Sequence, residues 1–173
     1  PEYAILVIGP DQDLYAASHI GGVFHHSSFL GEGAVMAGGE IKTREDGTIV
    51  ELSSKSGHYR PTDEENLFML SYFKDKGVDL SQVKFTAFGA KGGTEEYNAA
   101  KYLHHLQHKG DITVLNGKIE KAKGHIAHLK EQHSHCKRGK SGRAKKRSLS
   151  DQIDIHEKRL AELEKEVASY SPT

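Results

Sequence analysis

Apolar and polar positions divide the chain into two unlike halves. Tyr3 to Ile8 is a short apolar run, GPDQD follows with turn chemistry, and Leu14 to Ala17 resumes. That pattern predicts a β-hairpin. Ala34 to Thr43 and Thr48 to Ser53 flank REDG, whose Asp46-Gly47 is a strong hairpin signal. Between the two pairs lies SHIGGVFHHSSFLGEG, polar, aromatic and punctuated by glycine. The first sixty or so residues therefore read as an antiparallel sheet. After Pro61, Thr62 and Glu65 have the spacing of a capping box, and Leu67, Phe68, Leu70, Phe73 and a terminal Gly77 then describe a helix of about four turns. VKFTAF, residues 83 to 88, reads as another strand. AKGGT reads as a loop ending in a Thr N-cap. Glu95 to Lys109 reads as a helix with Tyr97, Ala100, Leu103 and Leu106 inward.

Beyond Gly110 the period changes. Ile112, Leu115, Ile119, Ala122, Ile126, Leu129, His133 and Cys136 recur at alternating spacings of three and four, as do Ile153, His156, Leu160, Leu163, Val167 and Tyr170. Both are heptad seams. Between them KRGKSGRAKKR carries seven basic side chains, which cannot continue an apolar seam and repel one another into water. We expect an α+β chain: an N-terminal antiparallel sheet with two packed helices over residues 1–110, then a coiled-coil-like antiparallel helical hairpin over 111–173 with a basic loop at 137–147. Gly117 and Gly124 each weaken the first hairpin helix by about 1 kcal/mol relative to Ala, so tertiary packing must hold it.

Composition narrows the partners only slightly. Lys plus Arg and Asp plus Glu both number 24, so overall charge gives no reason to expect nucleic acid. The basic loop 137–147 could still touch an anionic membrane, and the heptad seams could pair in an oligomer. A single cysteine, Cys136, excludes an internal disulfide and fits a reducing compartment, so we expect a cytosolic site of action. No run approaches the roughly 18 apolar residues of a membrane span, and YAILVI lacks the basic flank of a cleaved signal. Delivery into a host cell without such a signal would leave the same sequence. His104 and His108, His125 and His128, and the HSHC stretch have spacings that permit metal ligand pairs, but no third and fourth ligand is evident, and no metal is expected.

Candidate chemistry concentrates in two short stretches, HHSSFL and SGHYRP. Gly57 and Pro61 suffice to end a strand, which leaves Ser56, His58, Tyr59 and Arg60 without a backbone task. If the central strands bring Ser28, Glu40 and His58 together with His26, a hydroxyl, a carboxylate and imidazoles converge beside glycine-rich backbone. Such a group could move a proton or position a phosphate-bearing ligand, with a nucleotide as the cofactor class and Ser56, Tyr59 and Arg60 as binding residues. The bland alternative is that these side chains satisfy backbone groups where the sheet ends. There is no G-x-S-x-G elbow, and AKGGT lacks the spacing of a phosphate loop.

FHHSSFLGEGAVMAGGEI and DGTIVELSSKSGHYRPTDEENLFMLSYFKDKGVDLSQVKF together resemble a module of the plant IQ-motif-containing calmodulin-binding proteins, and also stretches of bacterial secreted toxins and effectors. The resemblance spans about residues 14 to 86. It singles out His26, Ser27, Ser28, Phe29, Leu30, Gly38, Ser56, Gly57, His58, Tyr59 and Pro61 as the shared pattern and assigns them no reaction. It implies calmodulin as a partner on one side and a host protein on the other. Arg138, Gly139 and Arg143 reproduce only the back half of an IQ element. Two readings follow: a bacterial effector or toxin acting as a nucleotide-using transferase on a host protein, or a protein-binding module without chemistry whose functional surface is the hairpin.

Overall fold

The computed structural model describes residues 3–18, 35–55, 61–89, 92–136 and 139–173. Two compact units are formed, residues 1–107 with 172–173, and residues 108–171. The first is α+β. Its strands β1 (Ala4–Ile8), β2 (Leu14–Ser18), β3 (Ala37–Thr43), β4 (Ile49–Ser53), β5 (Lys84–Phe88) and β6 (Thr94–Asn98) form one sheet in the order β2-β1-β3-β4-β5-β6. Neighbours are antiparallel except β4 and β5, which run parallel with Leu52 opposite Phe85. A parallel pair needs a crossover, and α1 (Asp63–Asp75) supplies it.

Local chemistry explains the boundaries. Asp46 accepts a hydrogen bond from the Thr48 amide at 2.9 Å, and Gly47 takes φ +84°, so the β3–β4 turn closes as Asp-Gly predicts. Both arms of the capping box are present: the Glu65 amide donates to Thr62 Oγ1 at 3.2 Å, and the Thr62 amide donates to the Glu65 carboxylate at 2.7 Å. Helix α1 ends where Gly77 turns left-handed at φ +86°.

One face of the sheet meets α1 and α2 (Ala99–Gln107). Leu6, Ile8, Leu52 and Phe85 from the strands pack with Met69, Leu70, Phe73, Leu103 and Leu106 from the helices. Fully burying each of the larger members contributes about 1.5–3 kcal/mol. Tyr102 extends this core as a ring stack, 5.3 Å from Phe85 and 4.4 Å from Tyr97 between centroids.

Two expected elements come out differently. Residues 95–98 form strand β6, not the first turn of a helix. Pairing with β5 places Tyr97 beside Phe85 and Glu96 beside Thr86, so the period of two prevails over the helical spacing that Tyr97 shares with Ala100 and Leu103. Asn98, not Thr94, accepts the capping bond, from the Lys101 amide at 3.2 Å. The basic run is not a loop from end to end, because α4 begins at Lys140. Exposed Lys and Arg keep their solvation on a helix surface, so repulsion does not unwind it.

The second unit consists of α3 (Lys109–Ser134) and α4 (Lys140–Ser169). Leu115 and Ile119 pack against Leu163, whereas Leu129 packs against Leu149 and Ile153, which makes the pair antiparallel. Every residue of the two expected seams is buried or half-buried. Lys130 and Glu157 bridge the helices at 2.7 Å.

Gly39 of β3 is a tight steric point, pressed against the end of β4 and, more loosely, against α1. A Cβ added to buried Gly39 would stand 1.9 Å from the Ser53 carbonyl oxygen and 3.1 Å from the Met69 methyl. Gly39→Ala is expected to destabilise the protein by about 3 kcal/mol, read by urea unfolding, because backbone cannot yield as a side-chain tip can. Gly117→Ala, with open space around it, is the contrasting case and should be neutral or stabilising.

Candidate functional site

Alternation sends every second strand residue to the face opposite α1 and α2. Register places Glu40 of β3 opposite Ser53 of β4, Glu51 opposite Lys84 of β5, and Thr86 opposite Glu96 of β6. These side chains, with Tyr3, Lys55 and Phe88, line an open cavity of about 630 Å³. Its charges interlock. Lys84 Nζ lies 3.0 Å from Glu51 and 3.1 Å from Glu96, and Lys55 Nζ lies 3.4 Å from Glu40. The Thr86 hydroxyl donates to Glu51 at 3.4 Å.

Electrostatics follow the geometry. Hydrogen bonds to Glu51 and then Glu96 raise the Lys84 ammonium above its ordinary pKa, against a smaller desolvation effect. Burial, followed by its hydrogen bond to Glu51, raises the Tyr3 hydroxyl. Glu51 and Glu40 are largely shielded from water, with side-chain exposures of 12% and 16%. Three carboxylates against two ammonium groups leave one negative charge on this wall.

Of the residues expected to carry chemistry, Glu40 lies here. His26, Ser28, Ser56, His58, Tyr59 and Arg60 lie outside the described residues. Glu51, Lys84 and Glu96 were missed by motif reading, although IVELS and KFTAF already alternate in the way that puts Glu51 and Lys84 on one face. Among the described residues, no group of three His, Cys, Asp or Glu side chains could hold a metal ion. None of the described helices is long and apolar enough to cross a membrane.

The second polar feature of this unit sits where α1 begins. A cleft of about 670 Å³ runs between Thr62, Asp63 and Asn66 on one side and the β5–β6 turn on the other, with Phe88, Glu95 and Tyr102 among its walls. In the hairpin unit, Lys140, Arg143, Lys145, Lys146 and Arg147 occupy the first two turns of α4, all exposed.

Residues 2–66 match the family profile described as the IQ motif-containing protein middle domain. Three relatives from Arabidopsis thaliana show the same likeness. IQ domain-containing protein IQM2 is 37% identical over 82 residues, which is 47% of this chain and 13% of the relative. IQM3 is 38% identical over 80 residues, covering 46% of this chain and 17% of the relative. IQM1 is 35% identical over 98 residues, covering 57% and 19%. The chain thus spans less than a fifth of the length of these relatives. No solved structure matches it. The plant side of the sequence resemblance is supported. The effector, toxin and transferase expectation is corrected, since the matches are to plant IQ domain-containing proteins, and a host target and secretion into a host lose their support with it.

Because its pKa is raised by folding, Lys84 contributes stability that is fully present below its unfolded value, near 10.5, and is lost as pH rises through the higher folded value. Lys84→Met is expected to cost about 1 kcal/mol at pH 8, by leaving the shielded Glu51 without its cation. The gap between the urea midpoints of wild type and variant should be narrower at pH 11 than at pH 8, because the contribution starts to fall once pH passes the unfolded value.

Proposed function

We propose that this chain is a protein-binding module without chemistry of its own, and that the hairpin unit presents its basic helix to an acidic partner of the calmodulin type. The observation that carries the reading is the start of α4. Lys140, Arg143, Lys145, Lys146 and Arg147 are exposed, and among the described residues no carboxylate pairs with them. Arg143, Lys146 and Arg147 are spaced i, i+3 and i+4, so they share one side of the helix. Leu149 and Ile153 follow on the same helix. A basic helix with apolar anchors is the form that calmodulin targets take.

The family match lies in residues 2–66, outside the hairpin, so the partner class rests on the charge pattern together with the sequence resemblance to IQ-motif-containing calmodulin-binding proteins. One physical constraint shapes the encounter. Leu149 and Ile153 are already buried against Leu129, so the partner meets charge first and reaches the anchors only if α4 separates from α3. Affinity should therefore depend on ionic strength.

Calorimetric titration of the chain with calmodulin, in calcium and in chelator, tests the proposal. Saturable binding is expected, weakened on the order of tenfold by Lys145→Glu with Lys146→Glu, about 1.4 kcal/mol. Lys74→Glu, on α1, should leave it unchanged. Absence of binding in both conditions, or an unaltered affinity of the double variant, overturns the proposal. So does binding of anionic vesicles in place of calmodulin.

A further inference from the structure

Most hydroxyl groups on α3 and α4 are already engaged. Ser134 and Ser169 donate to carbonyl oxygens one turn back, Thr113 donates to the Lys109 carbonyl, and Ser148 accepts from the Gln152 amide at 3.4 Å. Ser141 and Ser150 are exposed and take part in no hydrogen bond among the described residues. They differ in what opening the backbone around them requires. Ser150 follows Leu149, whose burial against Leu129 would have to be undone. Ser141 lies between Gly139 and Gly142 at the start of α4, where no side chain caps the helix and glycine holds it least firmly. A segment of this kind opens readily, which is what an enzyme needs in order to reach a side chain.

Charge singles out the same hydroxyl. KRGKSGRAKKR surrounds Ser141 with seven basic side chains and no acid. Lys140, Arg143, Lys145, Lys146 and Arg147 are all exposed, so the positive field around this serine is open to an approaching protein. An exposed nucleophile set in uninterrupted positive charge complements a kinase whose substrate groove is acidic.

We propose that Ser141 is a phosphorylation site for such a kinase, and that the phosphate turns down the binding of acidic partners by α4. In the transfer, the Ser141 Oγ bonds to the γ-phosphorus of a nucleoside triphosphate, and the bond from that phosphorus to its bridging oxygen breaks. The hydroxyl proton passes to the catalytic carboxylate of the kinase, and the nucleoside diphosphate leaves. The product brings about two negative charges into the basic cluster at neutral pH. Lys145, four residues on and one turn away, can pair with it. Positive charge is thereby withdrawn from the surface that an acidic partner would meet. Because an anion in the first turn opposes no carboxylate and agrees with the helix dipole, binding should weaken without unfolding of α4. The regulatory half rests on the reading of α4 as the surface for an acidic partner, whereas the modification itself does not.

The test treats the intact chain with protein kinase C, which selects basic flanks, or with a casein kinase, which selects acidic ones, each with ATP and magnesium. Tandem mass spectrometry should place phosphate on Ser141 with the first enzyme and none there with the second. The phosphorylated chain should then bind immobilised heparin, a polyanion probe, on the order of tenfold more weakly and leave it at lower salt, with its melting transition retained. Ser141→Ala, treated in the same way, should elute with the untreated chain. No incorporation, or phosphate on Ser148 or Ser150 in place of Ser141, overturns the site. An unchanged heparin affinity, or a weaker one accompanied by a lowered melting transition, overturns the electrostatic switch. Neither incorporation nor heparin elution involves calmodulin, so a chain that fails to bind calmodulin sinks the functional reading and leaves these results to decide the inference.

Discussion

The parallel contact between β4 and β5 is the constraint on which the first unit depends. Antiparallel neighbours can be joined by a tight turn, but a parallel pair cannot, so the chain must leave β4, cross one face as α1 and return. That crossing decides which face is apolar. Leu52 and Phe85, opposite each other in the parallel pair, turn toward α1 and are fully buried, while their neighbours Glu51, Ser53, Lys84 and Thr86 are sent to the other side. The same pairing aligns the carboxyl ends of both strands. Ser54 donates its amide to the Thr86 carbonyl, and the Ser54 hydroxyl accepts from the Phe88 amide at 3.0 Å. Crevices at the carboxyl ends of parallel strands, next to a helix start, are where α/β sheets commonly take ligands.

Much of this was legible in the sequence because the signals were local. Asp46-Gly47, Thr62 with Glu65, and Gly77 each specify a backbone conformation within a few residues, and each is realised. The heptad seams were legible because a period sustained over many residues tolerates single exceptions such as His133. Strand β6 was not, since Tyr97 continues the three-to-four spacing of Ala100, Leu103 and Leu106 backwards into this segment, which becomes a strand only when β5 pairs with it. The parallel arrangement was equally hidden, for nothing in IVELS or KFTAF records the direction of a neighbour. The expected cluster of Ser28, Glu40 and His58 rested on one assumption about which strand ends meet. Glu40 is the member that can be placed, on the face carrying Glu51 and Lys84.

Charge shows why a balanced total says little. Twenty-four basic and twenty-four acidic side chains cancel over the chain, yet the start of α4 is uniformly basic and the start of α1 uniformly acidic. Each arrangement departs from what the helix dipole alone prefers only at α4, where positive charge crowds the positive end of the helix. Basic residues there receive no help from the helix and no carboxylate partner among the described residues. The seam of Leu129, Leu149 and Ile153 must therefore hold that end against local electrostatic strain. An arriving polyanion would relieve the strain as it binds, whereas at α1 the first-turn carboxylates and the capping box are already at rest with the dipole. The two helix starts thus differ in kind: one gains from neutralisation by a partner, and the other has its amides satisfied within its own first turn.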